Sequence, residues 1–266
     1  MGVVNVTPDS FSDGGRFLDA AAAIAHAARL VDEGADLLDI GAESSRPGAQ
    51  PLPLDQELRR LEPVVRGCID LGVPLSIDTY KPAVMQRMVE MGIHMINDIW
   101  GFRQPGAFEA ALAASRAGVG LVIMHMHRDP RTMQDQPEYA DVVADVGTFL
   151  AGRVDQFRAA GVDAEQLVID PGFGFGKTVA HNLAMLRSLS AFTHCGVPVL
   201  AGLSRKSSIG AITGRQAPSD RLAGGLAAAL IAVQNGATIL RVHDVAPTRD
   251  ALRVWAAVKG SGMPQL

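Results

Sequence analysis

The chain contains few of the residues that crosslink a protein or hold it in a membrane. Its 266 residues include two cysteines, Cys68 and Cys195, which stand far apart and in no metal-like spacing. Sparse cysteine is typical of a reducing cytosol, so a cytoplasmic location is predicted. No apolar run reaches the roughly 18 residues that suggest a membrane span. The first residues also lack the basic-then-apolar layout of a signal peptide.

Positive charge and large aromatic side chains are scarce as well. Lys and Arg number 24 against 28 Asp and Glu, which gives a net charge of −4 and a pI near 6.0. Two Tyr and two Trp are present. The chain therefore offers neither a basic stripe that displaces counterions nor a platform on which bases could stack. A nucleic-acid or acidic-membrane partner is disfavoured, and a small molecule is the expected ligand.

Apolar residues make up 48% of the chain, with 28 Gly and 15 Pro, enough for a sizeable core between many turns. Short β-branched or Leu-rich runs predict strands at Met1–Val6, Asp36–Ile40, Pro74–Asp78, His94–Asp98, Gly120–His125, Gln166–Asp170, Pro198–Leu203 and Thr238–Val242. Between and after them, helical patterns cover Ala20–Glu33, Asp55–Leu71, Pro82–Met91, Ala107–Arg116, Tyr139–Ala160, His181–Leu189, Asp220–Asn235 and Pro247–Val258. Strict alternation of strands and helices predicts a parallel sheet, and this number of units closes into an α/β (β/α)8 TIM barrel. We expect one domain over residues 1–266.

Polar side chains follow each predicted strand on its carboxyl side. In chain order they are Asn5, Asp39 with Glu43, Asp78, Asn97 with Asp98, His125, Asp170, the run Ser204 to Lys206, and Arg241 with His243. In a parallel barrel these positions converge on one rim, where barrel enzymes hold their active sites. Any one of them could equally cap the next helix. Long loops after the first, second and fifth strands are typical of functional lids.

The same strand ends carry recognisable segments. They are residues 5–15 (NVTPDSFSDGG), 41–48 (GAESSRPG), 76–82 (SIDTYKP), 96–99 (INDI), 170–177 (DPGFGFGK), 202–207 (GLSRKS) and 241–244 (RVHD). In order and spacing, and over essentially the whole chain, they resemble the signature segments of the dihydropteroate synthase family. The resemblance implies a transferase that joins 6-hydroxymethyl-7,8-dihydropterin pyrophosphate to para-aminobenzoate, with Mg²⁺ as cofactor. It also implies a homodimer, with Asp220–Asn235 at the interface.

The first requirement of that reaction is a site for the pyrophosphate leaving group. Arg241 and His243 alternate on the last predicted strand, so both side chains are expected on one face, as a fork of donors and an imidazolium. The resemblance adds Ser45 and Arg46 to the pyrophosphate site. It also gives Asn5 as an oxygen ligand of Mg²⁺, an ion that commonly keeps several waters and bridges phosphates. The alternative is a core histidine at 243 and a helix-dipole partner at 241.

The second requirement is a site for the pterin ring. A carboxylate can accept two parallel hydrogen bonds from the amino group and the adjacent ring N–H of such a ring. By resemblance Asp170 takes this role, while Asp78 and Asn97 satisfy other ring atoms and Lys206 donates on the ring carbonyl side. Alternatively, Asp170 could simply begin the turn at residues 171–176.

The third requirement is a carboxylate near the reacting methylene, where positive charge develops. The first loop offers Asp9 and Asp13, and the resemblance favours Asp13. Together with Lys206, Arg241 and His243, Asp13 makes up the predicted catalytic set. Side chains implied around para-aminobenzoate are those of Phe11, Pro47, Phe175 and Ser207. A flexible solvated loop would also have the composition of residues 9–15.

Other interpretations are weaker. Pro171 stands where a phosphate-binding loop ending in Gly176 and Lys177 needs glycine, so nucleotide binding is not predicted. His125 and His127 lack a third ligand at a telling spacing, which argues against zinc and leaves His125 to line the pocket or satisfy the core. Two relatives remain as alternatives: a methyltetrahydrofolate-dependent methyltransferase-like barrel and a non-catalytic pterin-binding paralogue. Family members usually carry a short stretch before the first strand, and a missing segment there would affect stability more than chemistry.

Overall fold

Short parallel strands form the centre of the fold. The computed structural model describes residues 1–6, 16–44, 50–129, 132–133 and 137–260. The strands are β1 (Gly2–Asn5), β2 (Leu38–Gly41), β3 (Leu75–Asp78), β4 (Met95–Asp98), β5 (Gly120–Met124), β6 (Leu167–Asp170), β7 (Leu200–Ala201) and β8 (Ile239–Leu240). Each predicted strand is present, with ends that differ by a few residues.

The sheet closes on itself. Strands β1 to β6 pair side by side in chain order, and β7 pairs with β8, all in parallel. Isolated parallel bridges join Ile169 to Val199 and Gly2 to Val242, which link β6 to β7 and β8 to β1. The Val3 amide donates to the Val242 carbonyl at 3.0 Å, so the first and last strands meet. The predicted (β/α)8 barrel is confirmed.

Helices surround the barrel and follow the strands along the chain. Within the described ranges they are α1 (Arg16–Asp32), α2 (Leu54–Cys68), α3 (Pro82–Glu90), α4 (Ala107–Arg116), α5 (Val142–Ala159), α6 (Val179–Arg187), α7 (Ser207–Thr213), α8 (Leu222–Gln234) and α9 (Val245–Lys259). Helix α7 was not predicted, because it is short and its sequence contains Gly210 and β-branched residues. A 3₁₀ turn at Pro218–Arg221 precedes α8, which therefore begins later than the pattern indicated. No helix in these ranges is long and apolar enough to cross a membrane.

The core lies between the barrel and this outer layer. Helix α2 buries Leu61, Val64, Val65 and Cys68, the spacing of one helical face. Strand β2 is buried along its whole length, as expected where a parallel sheet has both faces covered. This packing holds the carboxyl ends of the strands in register, which places their polar residues at one mouth.

Strands β7 and β8 are shorter than predicted. The Val199 amide donates to the Thr238 hydroxyl at 3.1 Å and the Thr238 amide donates to the Val199 carbonyl at 2.9 Å, so the two segments already pair ahead of β7 and β8. Arg241 and His243 lie beyond β8, at the barrel mouth. Their side chains contact different neighbours, which are described below.

Candidate active site

A buried carboxylate, that of Asp39 on β2, organises the barrel mouth. It accepts hydrogen bonds from Ser76 Oγ at 2.6 Å, from Asn97 Nδ2 at 3.2 Å and from Arg241 Nε at 2.6 Å. Arg241 Nη2 donates to Asp78 Oδ2 at 3.0 Å. Four predicted strand ends, those of β2, β3, β4 and β8, are thereby joined in one network.

The electrostatics of this network reflect its burial. Burial raises the pKa of Asp78 to about 7, against the opposing effect of Arg241, and the nearby Asp39 and Asp98 raise it further. Burial alone would lower the pKa of the Arg241 guanidinium, but Asp39 and Asp78 outweigh it and the net shift is upward. Arg241 is therefore a permanent cation whose presence keeps Asp78 within reach of ionisation near neutral pH.

A second acidic group lies across the mouth at the end of β6. Asp170 is 6% exposed and accepts from the Gly172 amide at 2.7 Å. Burial raises the pKa of Asp170, while the Gly172 amide and Lys206 oppose that shift. The Lys206 ammonium lies 4.2 Å from the centroid of the Phe175 ring, and burial lowers the pKa of Lys206 to about 8. Asp170, Lys206 and Phe175 thus lie together at one side of the mouth.

Lys177 supports the turn that follows Asp170. Its ammonium is 4% exposed and lies 2.9 Å from His125 Nδ1 and 3.2 Å from the carbonyl oxygens of His125 and Phe175. Gly172 has a φ of +72°, and a Cβ there would lie 1.9 Å from the His125 carbonyl oxygen, so the turn requires glycine. Of the two predicted roles for His125, this contact with Lys177 supports the one in the core.

His243 lies on the far side of Arg241, against β7. Its backbone amide and Nδ1 are 3.2 Å and 3.1 Å from Ser204 Oγ, while Arg205 forms a two-point ion pair with Asp244. Burial and the neighbouring cations lower the pKa of His243 to about 4. The sequence analysis expected an imidazolium. With its pKa lowered in this way the ring is neutral at pH 7, because burial, followed by the charges of Arg241 and Arg205, disfavours a further positive charge.

Lys81 follows β3 and contacts two acidic residues that follow β2. Its ammonium donates to Glu43 Oε2 at 2.5 Å and also to Glu57, which is 1% exposed. Glu43 further accepts from the Tyr80 hydroxyl at 2.9 Å and from the Leu52 amide at 2.8 Å. Glu43 and Leu52 stand on either side of residues 45–49, so this ion cluster holds both ends of the loop that contains Ser45, Arg46 and Pro47.

An apolar cluster borders the charged network. Ile99, Met124, Met126 and Met133 are buried and pack with Tyr80, Trp100 and Phe175. Near it, Asn97 Oδ1 and Trp100 Nε1 are buried and have no hydrogen-bond partner among the described residues. A flat ring whose edge carries donors and acceptors suits such surroundings, because it can cover apolar surface and satisfy unpaired polar atoms.

Of the other predicted residues, Asn5 is exposed at the end of β1, opposite Gly41 of β2, and Ser207 is exposed at the start of α7. Phe11, Asp13, Ser45, Arg46 and Pro47, together with Asp9, lie outside the described residues.

Sequence reasoning noted Asp39 only as a polar strand end and assigned no role to Ser76 or Lys177. Asp39 and Ser76 both stand in apolar strands, where a buried polar side chain needs a hydrogen-bond partner. That pattern could have indicated that they contact each other. Asp39 and Ser76 are register partners.

A closed barrel with buried acids, cations and an apolar wall at the carboxyl ends of its strands is typical of a barrel enzyme that acts on a small molecule. A family model described as "Pterin binding enzyme" matches residues 1–243. Dihydropteroate synthase of Escherichia coli strain K12 is 45% identical over 258 residues, which are 97% of this chain and 90% of that protein. The chain belongs to the dihydropteroate synthase family of pterin-binding enzymes.

Solved structures that resemble this chain belong to the same family. The structure of Xanthomonas albilineans dihydropteroate synthase with 4-aminobenzoic acid shares 53% identity, with a TM-score of 0.91, over 97% of this chain and 92% of that one. Another structure of the Xanthomonas albilineans enzyme, in complex with 7,8-dihydropteroate, shares 51% identity, with a TM-score of 0.88, over the same fractions. The family resemblance and the enzyme class predicted from the motifs are therefore confirmed.

The ion cluster of Lys81 gives a stability prediction. Lys81→Met should lower the free energy of unfolding by about 3–5 kcal/mol, since it leaves Glu43 and Glu57 buried without their cation. The matched control is Arg59→Met, which removes an ion pair to Asp55 whose side chains are 53% and 64% exposed and should cost less than about 1 kcal/mol. Urea unfolding at pH 7 measures both. Equal losses of unfolding free energy in the two variants would show that the ion cluster of Lys81 stabilises the protein no more than an exposed ion pair does.

Proposed function

We propose that this chain catalyses the condensation of 6-hydroxymethyl-7,8-dihydropterin pyrophosphate with para-aminobenzoate, giving 7,8-dihydropteroate and pyrophosphate. The observation that carries the proposal is the set of acceptors at one barrel mouth: Asp78, whose side chain is 17% exposed, the buried Asp170 and the buried, unpaired Oδ1 of Asn97. A pterin ring presents an amino group and adjacent ring N–H groups, which are donors. These donors can satisfy Asn97 Oδ1 and the lone pairs that Asp78 and Asp170 still have beyond their bonds from Arg241 and Gly172.

The pterin ring is proposed to bind with Asp170 and Asp78 as carboxylates. Burial raises the pKa of both, so each takes up a proton more readily than an exposed carboxylate does. Hydrogen bonds from the ring favour the ionised form, as do the charges of Lys206 and Arg241. Lys206 donates to the carbonyl side of the ring.

The leaving group is proposed to bind beside Arg241 and His243, with Ser45 and Arg46 closing from the second loop. Arg241 still has donors beyond the two that bind Asp39 and Asp78. A neutral His243 can donate one hydrogen bond, and the arriving pyrophosphate raises its tendency to bind a proton.

Mg²⁺ fits this arrangement as an ion carried mainly by phosphate oxygens. Asn5 offers one exposed amide oxygen at the end of β1. The described residues contain no cluster of three or more His, Cys, Asp or Glu that could hold a metal. When bound, Mg²⁺ would neutralise charge on the pyrophosphate.

The chemical step exchanges one bond for another at the pterin methylene. The amine nitrogen of para-aminobenzoate forms a bond to the methylene carbon, and the bond from that carbon to the pyrophosphate oxygen breaks with its electron pair. The amine then loses a proton. We propose Asp13 as the carboxylate nearest the methylene, and Phe11, Pro47, Phe175 and Ser207 as the surroundings of para-aminobenzoate. The contact between the Lys206 ammonium and the Phe175 ring supports a cation beside that second substrate.

A steady-state assay of pyrophosphate release tests the reaction and the metal together. With both substrates and Mg²⁺ present, the protein should release pyrophosphate, and release should require para-aminobenzoate. Removing Mg²⁺ should reduce turnover by at least about tenfold, because the leaving group loses charge neutralisation.

The variant Asn5→Ala tests the proposed metal ligand. It should raise the Mg²⁺ concentration needed for half-maximal turnover and leave pterin binding unchanged. Metal-independent release would remove Mg²⁺ from the proposal. No release, with pterin pyrophosphate still bound, would indicate the non-catalytic paralogue.

The pKa of Lys206 generates a pH prediction. Since burial lowers it to about 8, Lys206 loses its charge as the pH rises through that value, and affinity for the anionic pterin pyrophosphate should fall by up to about tenfold per pH unit above it. Lys206→Arg keeps a permanent charge and should show a flatter profile. Calorimetric titration of both proteins between about pH 7 and 9.5 measures this. Any ionisation of the ligand itself affects both proteins equally, so it cancels in the comparison. Parallel profiles would remove Lys206 as the titrating group.

We also propose a homodimer that uses α8. Among the described residues, the large exposed apolar side chains concentrate on α6 to α9; they are Val179, Leu183, Ile212, Leu222, Ile231, Val254 and Val258, with Leu54 elsewhere. Helix α8 reads LAGGLAAALIAVQ and has no charged side chain. A surface helix without a polar face is typical of one that packs against another subunit.

The dimer is tested by Ile231→Glu. Ile231 is 45% exposed, and a carboxylate there would be desolvated in the interface, so the dimer dissociation constant should rise by at least about tenfold. Leu54→Glu is the matched control, since Leu54 is 42% exposed on another part of the surface. Sedimentation velocity over a concentration series measures both. A monomeric wild-type protein, or equal effects of the two changes, would contradict the proposal.

Finally, we propose that the enzyme works in the cytoplasm. Cys68 is buried and Cys195 is half-buried, and both are free. Burial raises the pKa of each thiol, which leaves them unreactive. Free, unreactive thiols are consistent with a reducing compartment.

A further inference from the structure

Asp39 occupies a position that no substrate can reach. Its side chain is fully buried inside the barrel, on β2, below the residues that end the strands. It accepts from Ser76 of β3, Asn97 of β4 and Arg241 beyond β8. Three donors from three elements converge on one carboxylate, which has lone pairs for about four.

The bond to Asn97 determines which end of that amide faces the ligand. Because a carboxylate only accepts, Asn97 must direct its Nδ2 to Asp39, and the opposite orientation would set oxygen against oxygen. The Oδ1 atom then turns away from Asp39, where it is buried and has no partner among the described residues. Asp39 therefore makes Asn97 an acceptor for a ligand donor.

The bond to Arg241 determines the plane of the guanidinium. Nε is held by Asp39 Oδ2 at 2.6 Å, and Nη2 by Asp78 Oδ2 at 3.0 Å. Two contacts on a rigid planar fork fix its orientation, and the remaining donors point away from both carboxylates. Asp39 and Asp78 thus fix the direction in which Arg241 can bind an anion.

We propose that Asp39 is a positioning residue that couples the two halves of the substrate site, orienting Asn97 as an acceptor for the pterin ring and Arg241 as a donor for the pyrophosphate. This inference rests on the proposed function, since it assigns Asn97 and Arg241 to the two parts of one substrate. A carboxylate with a merely structural role would affect stability and leave both binding parts intact.

The test is Asp39→Leu, which has a similar shape and removes both acceptor oxygens. Asn97 Nδ2 and Arg241 Nε share the Oδ2 atom of Asp39, so this change releases both side chains at once. The matched control is Ser76→Ala, which removes a hydrogen bond from the same carboxylate and leaves the other two in place.

Calorimetry should use two separate ligands, hydroxymethyl-dihydropterin without phosphate and inorganic pyrophosphate with Mg²⁺. The wild-type protein is measured first, because absence of binding there would contradict the proposed function and not the role of Asp39. We expect Asp39→Leu to weaken both ligands by tenfold or more and Ser76→Ala to change each by less than threefold. Unfolding free energies of the two variants separate these effects from stability.

A second variant keeps the proposal testable if Asp39→Leu folds poorly. Combining Asp39→Asn with Asn97→Asp reverses the donor and acceptor between the two positions and still leaves an oxygen facing the pterin, but it sets an NH2 against Arg241 Nε, which shares Oδ2. This pair should keep pterin affinity within about threefold of wild type and lose pyrophosphate affinity by tenfold or more. Wild-type affinities in Asp39→Leu, equal losses in Ser76→Ala, or a loss of pterin affinity in the pair would each overturn the assignment.

Discussion

The guanidinium of Arg241 lies between the carboxylates of Asp39 and Asp78, and the rest of the barrel mouth depends on that contact. Its partners are 202 and 163 residues away in sequence, so the ion network joins the last strand to the second and third. Taking such charges out of water is unfavourable unless each finds partners with good geometry. Here Ser76 and Asn97 supply further donors to Asp39, which leaves the buried charges satisfied.

The opposing pKa shifts around the mouth describe a site prepared for a ligand. Burial raises the pKa of Asp78 and Asp170 and lowers that of Lys206, so each charged form is disfavoured at the barrel mouth. A ring that donates to the acids, and an anion that meets the cations, would relieve these costs. Dipoles and charges already aimed at the ligand need little reorganisation during reaction, which is how electrostatic preorganisation accelerates a chemical step.

The sequence was sufficient for the fold and for the polar residues that end the strands, because both follow from where polar residues stand relative to apolar runs. Asp170, Lys206 and Arg241 each follow a strand and lie at the barrel mouth. The neutral state of His243 could not be read in advance, since it depends on burial and on the cations around it. The short extents of β7 and β8 could not be read either, since the apolar runs there extend past both strands.

The role of Asp39 was not predicted, because Asp39 lies deeper in the barrel than the residues that end the strands. The register pairs Gly41 with Asp78 and Asp39 with Ser76, so Asp39 lies one full pleat below the strand end. Side chains inside such barrels form layers, and ligands reach the uppermost one. Motifs at strand ends therefore identify the groups that touch a ligand, whereas the groups that orient them lie a layer deeper. Their role depends on which strands are neighbours, and that becomes visible once the barrel is closed.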